Sequence, residues 1–188
     1  MVMAMDCYVE ISLLPDPEFP DSILMNALFA KLHRALAENG KQEIGVSFPE
    51  FGKKLNSKLR IHGSEESLKR LMDLNWIQGM KDYTRVSGIA KVPDSCQYRT
   101  VKRVQAKSSV DRLYRRSVKK GWLSEENAEQ QKERAREGRL KLPFVQLKSQ
   151  TTGQQFRLFI QHGSLQEKPV TGRFSSYGLS NEATVPWF

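Results

Sequence analysis

Apolar side chains recur with two different periods along the first forty residues, and each period predicts one element. Residues 9–13 alternate between apolar and polar side chains, which is typical of a strand with one buried face. After a proline-rich loop, leucine recurs at every fourth position and predicts a helix with one apolar stripe: Leu24, Leu28, Leu32 and Leu36. We expect Asp21 or Ser22 to cap this helix and Gly40 to end it.

The same two patterns continue to about residue 92. Further strands are predicted at residues 44–48, 59–62 and 83–92, the last of them broken at Gly88. Ser64 can cap a second helix, which runs from Glu65 to about Leu74. The order strand, helix, strand, strand, helix, strand is that of a ferredoxin-like βαββαβ unit. We therefore predict an α+β protein whose N-terminal, ferredoxin-like domain spans residues 1–94.

The remaining residues, 95–188, are predicted to form a smaller α/β region. Its elements are a strand, a basic helix, a polar helix and a β-hairpin, at residues 99–107, 112–120, 124–136 and 144–149 with 155–161. Thr151, Thr152 and Gly153 form the expected turn of the hairpin. The tail holds a short strand, and we expect its final aromatic residues, Trp187 and Phe188, to pack onto the core.

Charge changes this picture, because it is concentrated in one stretch of the second region. The chain has 30 Lys and Arg against 21 Asp and Glu, a net charge of +9. Residues 99–120 hold one acid, Asp111, and nine cations: Arg99, Lys102, Arg103, Lys107, Arg112, Arg115, Arg116, Lys119 and Lys120. The net charge of this stretch is +8, so the rest of the chain is about neutral. A cationic surface of this density indicates a polyanionic partner.

The two halves of the basic stretch suggest different contacts with that partner. From Arg112 to Lys120 the cations repeat at the spacing of one helix face, which repels itself unless an anion of matching width lies against it. In the preceding strand, alternation puts Arg103 and Gln105 on one face. Arginine pairs with guanine and glutamine with adenine through two hydrogen bonds each, so this pair could read adjacent purines. Solvated surface positions are the other interpretation of both patterns.

Composition argues against several classes of protein. No apolar run approaches the roughly 18 residues of a membrane span and the N-terminus lacks a signal-peptide pattern, so we expect a cytoplasmic protein without a membrane partner. Cys7 and Cys96 form no CxxC motif, and we expect them to be reduced core residues. The sequence contains no Walker loop, GxGxxG or RNP1 motif. Carboxylates, histidines and cysteines do not cluster at ligand spacing, so we expect no metal and no cofactor.

Three histidines remain as candidates for acid–base chemistry. His33 lies on the flank of the leucine stripe and is expected to be partly covered. His62 ends a predicted strand and His162 lies at a turn, both positions where surface histidines are common. A lone helical histidine is more often structural than functional. If the protein cuts RNA, however, a histidine can take the proton from a 2′-hydroxyl, so that the ribose attacks its own phosphate without a metal.

Several long segments are similar to one known family: PDPEFP, LFAKLHRAL, IGVSFP, RVQAKS, LPFVQLKSQTTGQQFRLFIQHG, YGLS and VPWF. Over almost its full length, the chain resembles the CRISPR repeat-RNA endoribonucleases of the type I-F system, which are the processing subunits of the Csy complex. The resemblance implies a ferredoxin-like N-terminal domain and a C-terminal half with an arginine-rich helix. It also implies a single metal-independent cut at the 3′ base of each repeat hairpin, retention of the product, a monomer when free, and the other Csy subunits as partners.

The resemblance also implies a role for each matching residue. His33 matches the general base, Ser149 the serine that orients the 2′-hydroxyl, and Tyr177 the tyrosine that positions the histidine. Arg103 and Gln105 match the pair that reads purines of the closing base pairs. An aromatic residue that stacks on the terminal base pair and the cations of the basic stretch complete the RNA-binding set: Phe156, Lys107, Arg112, Arg115, Arg116, Lys119 and Lys120. The major groove of a short hairpin is open at its loop end, so a cationic helix can enter it although A-form grooves are normally too narrow.

Two other classes of function are kept as alternatives. The first is a non-cleaving RNA-hairpin-binding subunit of a ribonucleoprotein complex, against which the presence of His33, Ser149 and Tyr177 argues. The second is a ribosomal or regulatory RNA-binding protein with a ferredoxin-like fold. Incubation with a cognate repeat hairpin in EDTA separates the three classes, because only the enzyme yields two discrete fragments.

Overall fold

The computed structural model describes residues 5–105, 110–124, 127 and 140–188. Its α-helices and strands are β1 Cys7–Leu13, α1 Asp21–Asn39, β2 Gly45–Ser47, β3 Lys58–Gly63, α2 Glu65–Asp73, β4 Thr84–Val86, β5 Ala90–Lys91, β6 Gln97–Val104, α3 Val110–Lys119, β7 Phe144–Lys148, β8 Gln155–His162 and β9 Thr184–Trp187. The strands form two antiparallel sheets within these residues, so the fold is α+β, as predicted.

The first sheet contains the N-terminal strands in the order β2-β3-β1-β4, and β5 also pairs with β1. Side chains of β1 alternate between buried and half-buried along its whole length, which confirms the strand predicted from alternation. All four leucines of the α1 stripe are buried, and the helix ends at Gly40 with a φ of 66°, as expected. The Ser64 hydroxyl caps α2 by accepting a hydrogen bond from the Ser67 N–H, also as expected.

The second sheet contains the C-terminal strands in the order β7-β8-β6-β9. The predicted hairpin is confirmed, because β7 and β8 pair in register from Phe144 opposite Phe159 to Lys148 opposite Gln155. Strand β8 pairs with β6 on its other edge, where Arg103 lies opposite Ile160. One face of this sheet therefore carries the buried side chains that close the core: Val101, Val145, Leu147, Leu158 and Ile160.

The chain divides into two compact units. The larger unit comprises Met1–Val104 and Pro143–Phe188 and so contains both sheets, and the smaller unit comprises Gln105–Leu142. Compactness does not by itself define a domain that folds alone, so a boundary at residue 94 stays a prediction. Among the described residues, no helix is long and apolar enough to cross a lipid bilayer.

The N-terminal cap of α1 was wrongly predicted. The helix already includes Asp21, and the cap position is held by Pro20, whose backbone is extended with φ −66° and ψ 153°. Pro20 has no side-chain cap hydrogen bond, and its carbonyl accepts the first hydrogen bonds of the helix, from the N–H groups of Ile23 and Leu24. The Asp21 carboxylate lies in the first turn, where it interacts favourably with the helix dipole.

The expectation of a surface position was also wrong for His62, whereas His162 is partly buried. His62 is completely buried because β3 is an inner strand, paired with both β1 and β2. Its Nε2 is hydrogen-bonded to Ser47 Oγ at 2.8 Å, and burial, followed by the positive charge of Arg60, lowers the pKa of His62 to about 3. Burial and then the charge of Arg99 likewise lower the pKa of His162 to about 3.

Three further expectations have mixed outcomes. Cys7 is buried as expected, but Cys96 is partly exposed and is not a core residue. Trp187 packs at 5.7 Å from the Phe51 ring. Phe188 packs edge-on against Tyr8 at 4.9 Å but keeps 36% of its surface exposed. The polar helix over residues 124–136 falls almost wholly outside the described residues.

Candidate functional site

His33 lies in the middle of α1, half-buried, on the flank of the leucine stripe. Its Nδ1 is 2.9 Å from the backbone carbonyl oxygen of Ser176. A carbonyl oxygen can only accept a hydrogen bond, so Nδ1 must carry the hydrogen in this contact. The neutral ring then has its lone pair on Nε2, which is the form a general base needs.

Tyr177 covers one face of the His33 ring. The two ring centroids are 4.0 Å apart and the planes differ by 12°, and the Tyr177 ring is also parallel to Phe29 at 6.4 Å. Stacking on one side and the Ser176 carbonyl at Nδ1 together restrict rotation of the imidazole. The described structure thus brings His33 and Tyr177 together, although they are far apart in the sequence.

A tight turn presents Ser176 and Tyr177 to the helix. The Gly178 N–H donates to the Ser175 carbonyl at 2.8 Å, and the Gly178 carbonyl accepts from the Val46 N–H at 2.9 Å. Gly178 has a φ of 69°, and a Cβ added there would lie 2.3 Å from Val46 Cγ2. Only glycine fits this position, because both the backbone angle and the close approach to β2 exclude a side chain.

Arg103 links this pair to the hairpin. Its Cζ lies 5.6 Å from the centroid of the Tyr177 ring and 5.8 Å from that of Phe156. Both distances are within the range of cation–π contacts. The Arg103 side chain is nevertheless exposed, so its donors remain available to a ligand that arrives beside His33.

Ser149 follows β7 directly, at the start of the hairpin turn. Its N–H donates to the Gln154 carbonyl and its hydroxyl accepts from the Thr152 N–H at 3.2 Å. Alternation puts Ser149 on the same sheet face as Leu147, and Leu147 pairs directly with Phe156. Ser149 therefore shares a face with Phe156, the residue that Arg103 joins to Tyr177.

The cations of α3 belong to the smaller unit. Four of them are exposed in and just after this helix: Arg115, Arg116, Lys119 and Lys120. Gln105, also exposed, comes directly after β6, so it lies beyond the strand on which we expected it. Lys107 is outside the described residues, and the side chain of Arg112 is outside them too.

Sequence reasoning missed a second aromatic cluster, which surrounds His162. Its ring stacks on Phe51 at 3.8 Å with an 11° angle between the planes, and Arg99 lies over Phe51 and Trp187, at 5.2 and 4.5 Å from their centroids. The guanidinium of Arg99 also donates to the Gly163 carbonyl at 2.6 and 2.9 Å. Arg99 thus makes structural contacts that its position in the basic stretch did not indicate.

Potential metal ligands are dispersed over the part of the chain that the structure describes. Three or more His, Cys, Asp or Glu side chains do not come together there in a way that could hold an ion. The chemistry that the described side chains can provide is proton transfer at His33, hydrogen bonding at Ser149 and Arg103, and stacking at Phe156.

Known proteins match the chain over nearly its whole length. Residues 8–188 match the family model described as CRISPR-associated protein (Cas_Csy4). The chain is 51% identical over 184 residues to the CRISPR-associated endonuclease Cas6/Csy4 of Escherichia coli (strain UTI89 / UPEC), covering 98% of this chain and 100% of that protein. It is 48% identical over 187 residues to the protein of the same name from Pseudomonas aeruginosa (strain UCBPP-PA14), again covering 98% and 100%.

One solved structure also aligns, the crystal structure of CRISPR RNA processing endoribonuclease Cas6b. The alignment covers 97% of this chain and 100% of that chain, with 14% sequence identity and a TM-score of 0.27.

Proposed function

Because the chain belongs to the Cas_Csy4 family of CRISPR-associated proteins, we propose that it is an endoribonuclease that binds the CRISPR repeat hairpin and cuts it once at its 3′ base. The observation that carries this proposal is the pairing of His33 with the Ser176 carbonyl and the Tyr177 ring. An imidazole held at Nδ1 and stacked on one face presents Nε2 as a proton acceptor in one orientation. Such an arrangement suits acid–base chemistry better than packing alone.

The proposed reaction uses the RNA itself as the nucleophile. His33 Nε2 takes the proton from the 2′-hydroxyl upstream of the scissile phosphate, and Ser149 orients that hydroxyl. The 2′-oxygen forms a bond to phosphorus while the bond from phosphorus to the 5′-oxygen breaks. The leaving 5′-oxygen takes up a proton from solvent, and His33 releases to solvent the proton that it accepted, so the products are a 2′,3′-cyclic phosphate and a 5′-hydroxyl. No metal is needed, and none enters the scheme.

Recognition is assigned to the residues around and beyond this centre. Arg103 and Gln105 read purines of the closing base pairs, and Phe156 stacks on the terminal pair. The guanidinium of Arg103 is supported in this role by its exposed position between Tyr177 and Phe156. The cations of the basic stretch contact phosphates, and those from Arg112 onward do so as an arginine-rich helix in the hairpin groove: Lys107, Arg112, Arg115, Arg116, Lys119 and Lys120.

The finer fold and the cellular setting belong to the same proposal. The strand order β2-β3-β1-β4, with one helix after β1 and one after β3, supports a ferredoxin-like N-terminal domain over residues 1–94. A hairpin-binding region then spans residues 95–188. We assign the protein to the cytoplasm, as a monomer when free, which keeps its product and joins the other subunits of a type I-F Csy complex.

Cleavage of a cognate repeat hairpin in EDTA tests the proposal. Wild-type protein should yield two discrete fragments, and His33→Ala should yield none while binding the hairpin within about twofold of wild type, because His33 has no fixed charge to contribute to phosphate binding. His162→Phe serves as the matched control, since it removes a histidine from the same unit and should leave cleavage intact.

The identity of the nucleophile needs a separate substrate. A hairpin with a single 2′-deoxy nucleotide upstream of the scissile phosphate should bind normally and remain uncut. If this RNA is cut, water is the nucleophile and the proposed mechanism is wrong. Binding without cleavage of the normal hairpin would instead assign the protein to non-cleaving RNA-binding subunits.

A further inference from the structure

Trp122, just after the end of α3, is an exposed tryptophan that the proposed function does not use. It has 71% of its surface exposed, whereas Trp76 has 8% and Trp187 packs against Phe51. A large aromatic ring is usually buried because its hydration is unfavourable, and an indole with this exposure is available for stacking by a partner.

Trp122 is held in place by backbone hydrogen bonds and not by burial. Its N–H donates to the Ser117 carbonyl at 3.0 Å, and the Gly121 N–H donates to the Val118 carbonyl at 3.0 Å. With a φ of 72° at Gly121, these two bonds form a Schellman cap. The apolar residue at this position of the cap usually packs back onto the helix. Trp122 instead stays exposed, at a fixed place beyond the last turn.

The surroundings of the indole favour a nucleic acid as the partner. The Lys120 ammonium lies 4.6 Å from the Trp122 ring centroid. Exposed cations occupy the helix before it: Arg115, Arg116 and Lys119. Protein interfaces are depleted in lysine at their centres, whereas surfaces for single-stranded nucleic acid combine cations along the backbone with aromatic rings that stack on bases.

We propose that Trp122 stacks on an unpaired nucleobase of the bound RNA, next to the phosphates that the α3 cations contact. This inference rests on the proposed function, because it assumes that α3 binds the repeat RNA. Stacking adds affinity with little sequence preference, since every base has a π face. It also differs from a phosphate contact in its response to salt, because it releases no counterions.

Binding titrations with the 2′-deoxy repeat hairpin, including its single-stranded flanks, test the proposal. Trp122→Ala should weaken binding by about 5- to 150-fold, equivalent to about 1–3 kcal/mol, by the same factor at low and high salt. Trp122→Tyr keeps an aromatic face and should bind within about threefold of wild type. The emission of Trp122, isolated by subtracting the spectrum of Trp122→Tyr, should be quenched when RNA is added.

Three other results would overturn the proposal. The first is equal affinity of Trp122→Ala and wild type for the hairpin, together with Trp122 emission that does not change when RNA is added. In this case the wild-type preparation must cut the normal hairpin. The second is normal RNA affinity with failed assembly into a Csy complex, which would assign the indole to a protein partner. The third is a wild-type protein that neither binds nor cuts the hairpin, in which case the proposed function itself fails.

A different observation, on α1, carries a second inference. Asn26 Oδ1 accepts a hydrogen bond from the backbone N–H of Gln146 at 2.8 Å. Because β7 is an edge strand of the second sheet, some of its N–H groups have no strand partner, and Asn26 binds one of them. Asn26 precedes His33 by two helical turns, and Gln146 comes three residues before Ser149. One side chain therefore ties the helix of the general base to the strand that leads into the serine.

We infer that Asn26 is a positioning residue, which holds Ser149 in register with His33 during the proposed cleavage. The inference rests on that function. A displacement of about 1 Å between reacting groups can cost about a hundredfold in rate. Removal of the Asn26 hydrogen bond should therefore slow the chemical step and leave hairpin affinity unchanged, because Asn26 contacts the protein backbone and not the RNA.

Single-turnover cleavage by two substitutions of similar size separates positioning from packing. Asn26→Asp keeps an acceptor oxygen and should cut within about threefold of wild type, whereas Asn26→Leu has none and should cut about tenfold more slowly. Both should bind the hairpin within about twofold of wild type. In a Ser149→Ala background, Asn26→Leu should cause little further loss, because Asn26 acts through Ser149.

Additive losses in that background, or equal rates for Asn26→Asp and Asn26→Leu, would overturn the positioning role. Active wild-type protein in the same assay keeps this outcome distinct from failure of the proposed function. An inactive wild-type protein would overturn both the positioning role of Asn26 and the proposed function.

Discussion

Replacing His162 with phenylalanine tests whether a buried histidine makes the protein sensitive to acid. Both ring nitrogens of His162 are buried without a hydrogen-bond partner among the described residues, and the ring stacks on Phe51 at 3.8 Å. Phenylalanine keeps the stacking and brings no nitrogen. At pH 7 the free energy of unfolding should therefore stay within about 1 kcal/mol of wild type, since removal of two unpaired polar atoms offsets the slightly larger ring.

The difference should grow as the pH falls. The pKa of His162 is lowered from 6.5 to about 3 in the folded protein, first by burial and then by Arg99. The unfolded chain thus takes up a proton below about pH 6.5 that the folded state rejects, so wild-type stability is present in full above that pH and is lost as the pH falls toward 3. One such group loses about 1.4 kcal/mol per pH unit. Between pH 7 and 5 we expect His162→Phe to gain about 1–2 kcal/mol over wild type, allowing for partial solvation of the ring.

Urea unfolding followed by circular dichroism at pH 7, 6 and 5 measures this difference. His62, whose pKa is also lowered to about 3, is present in both proteins, so its contribution cancels in the comparison. Identical pH dependence of the two proteins would refute the reasoning, because it would mean that His162 can be protonated in the folded state. The same variant should keep cleavage activity, which separates the stability effect from any role as a base.

Three further predictions concern recognition and the turn beside His33. Arg103→Ala should cost about 1–3 kcal/mol of affinity on the cognate hairpin and much less on one whose candidate guanine pair is inverted; equal losses in a gel-shift assay would show that the residue only neutralises phosphate. Lys119→Ala with Lys120→Ala should weaken all hairpins alike and flatten the log–log salt dependence of binding by roughly 0.7 to 0.9 for each phosphate that is no longer neutralised, and an unchanged slope would contradict phosphate binding by these lysines. Gly178→Ala should lower the melting temperature and slow cleavage, because the new Cβ would lie 2.3 Å from Val46 in a backbone at φ 69°; a wild-type melting curve would mean that the turn adjusts.

Local periodicity was sufficient to predict the elements whose signal lies within one segment. The alternation in β1, the leucine stripe and terminal Gly40 of α1, and the paired runs of the β7–β8 hairpin all appear in the structure as expected. Each of these signals depends on neighbours within a few residues, which a sequence displays directly. The start of α1 was predicted less well. The extended backbone of Pro20 holds the cap position, so Asp21 already lies inside the helix.

Burial and the candidate site could not be read in the same way, because both depend on contacts between distant segments. His62 looked like a strand end, but β3 has a neighbour on each side, and nothing in its own residues marks an inner strand. His162 is covered by Phe51 from another part of the chain. The link from His33 to Ser176 spans 143 residues, so only the resemblance to a known family suggested that this histidine and Tyr177 belong together.

The way in which the smaller unit joins the larger one has a consequence for engineering. Phe159 of β8 lies opposite Val104 on one side and Phe144 on the other, so the chain leaves the larger unit and returns to it about two strand spacings apart, or about 10 Å. Residues 105–142 are therefore inserted between two attachment points that lie close together, and a linker of about four residues could span the same gap. The corresponding segment of a relative should therefore be exchangeable at this junction, with the scaffold around His33 left as it is.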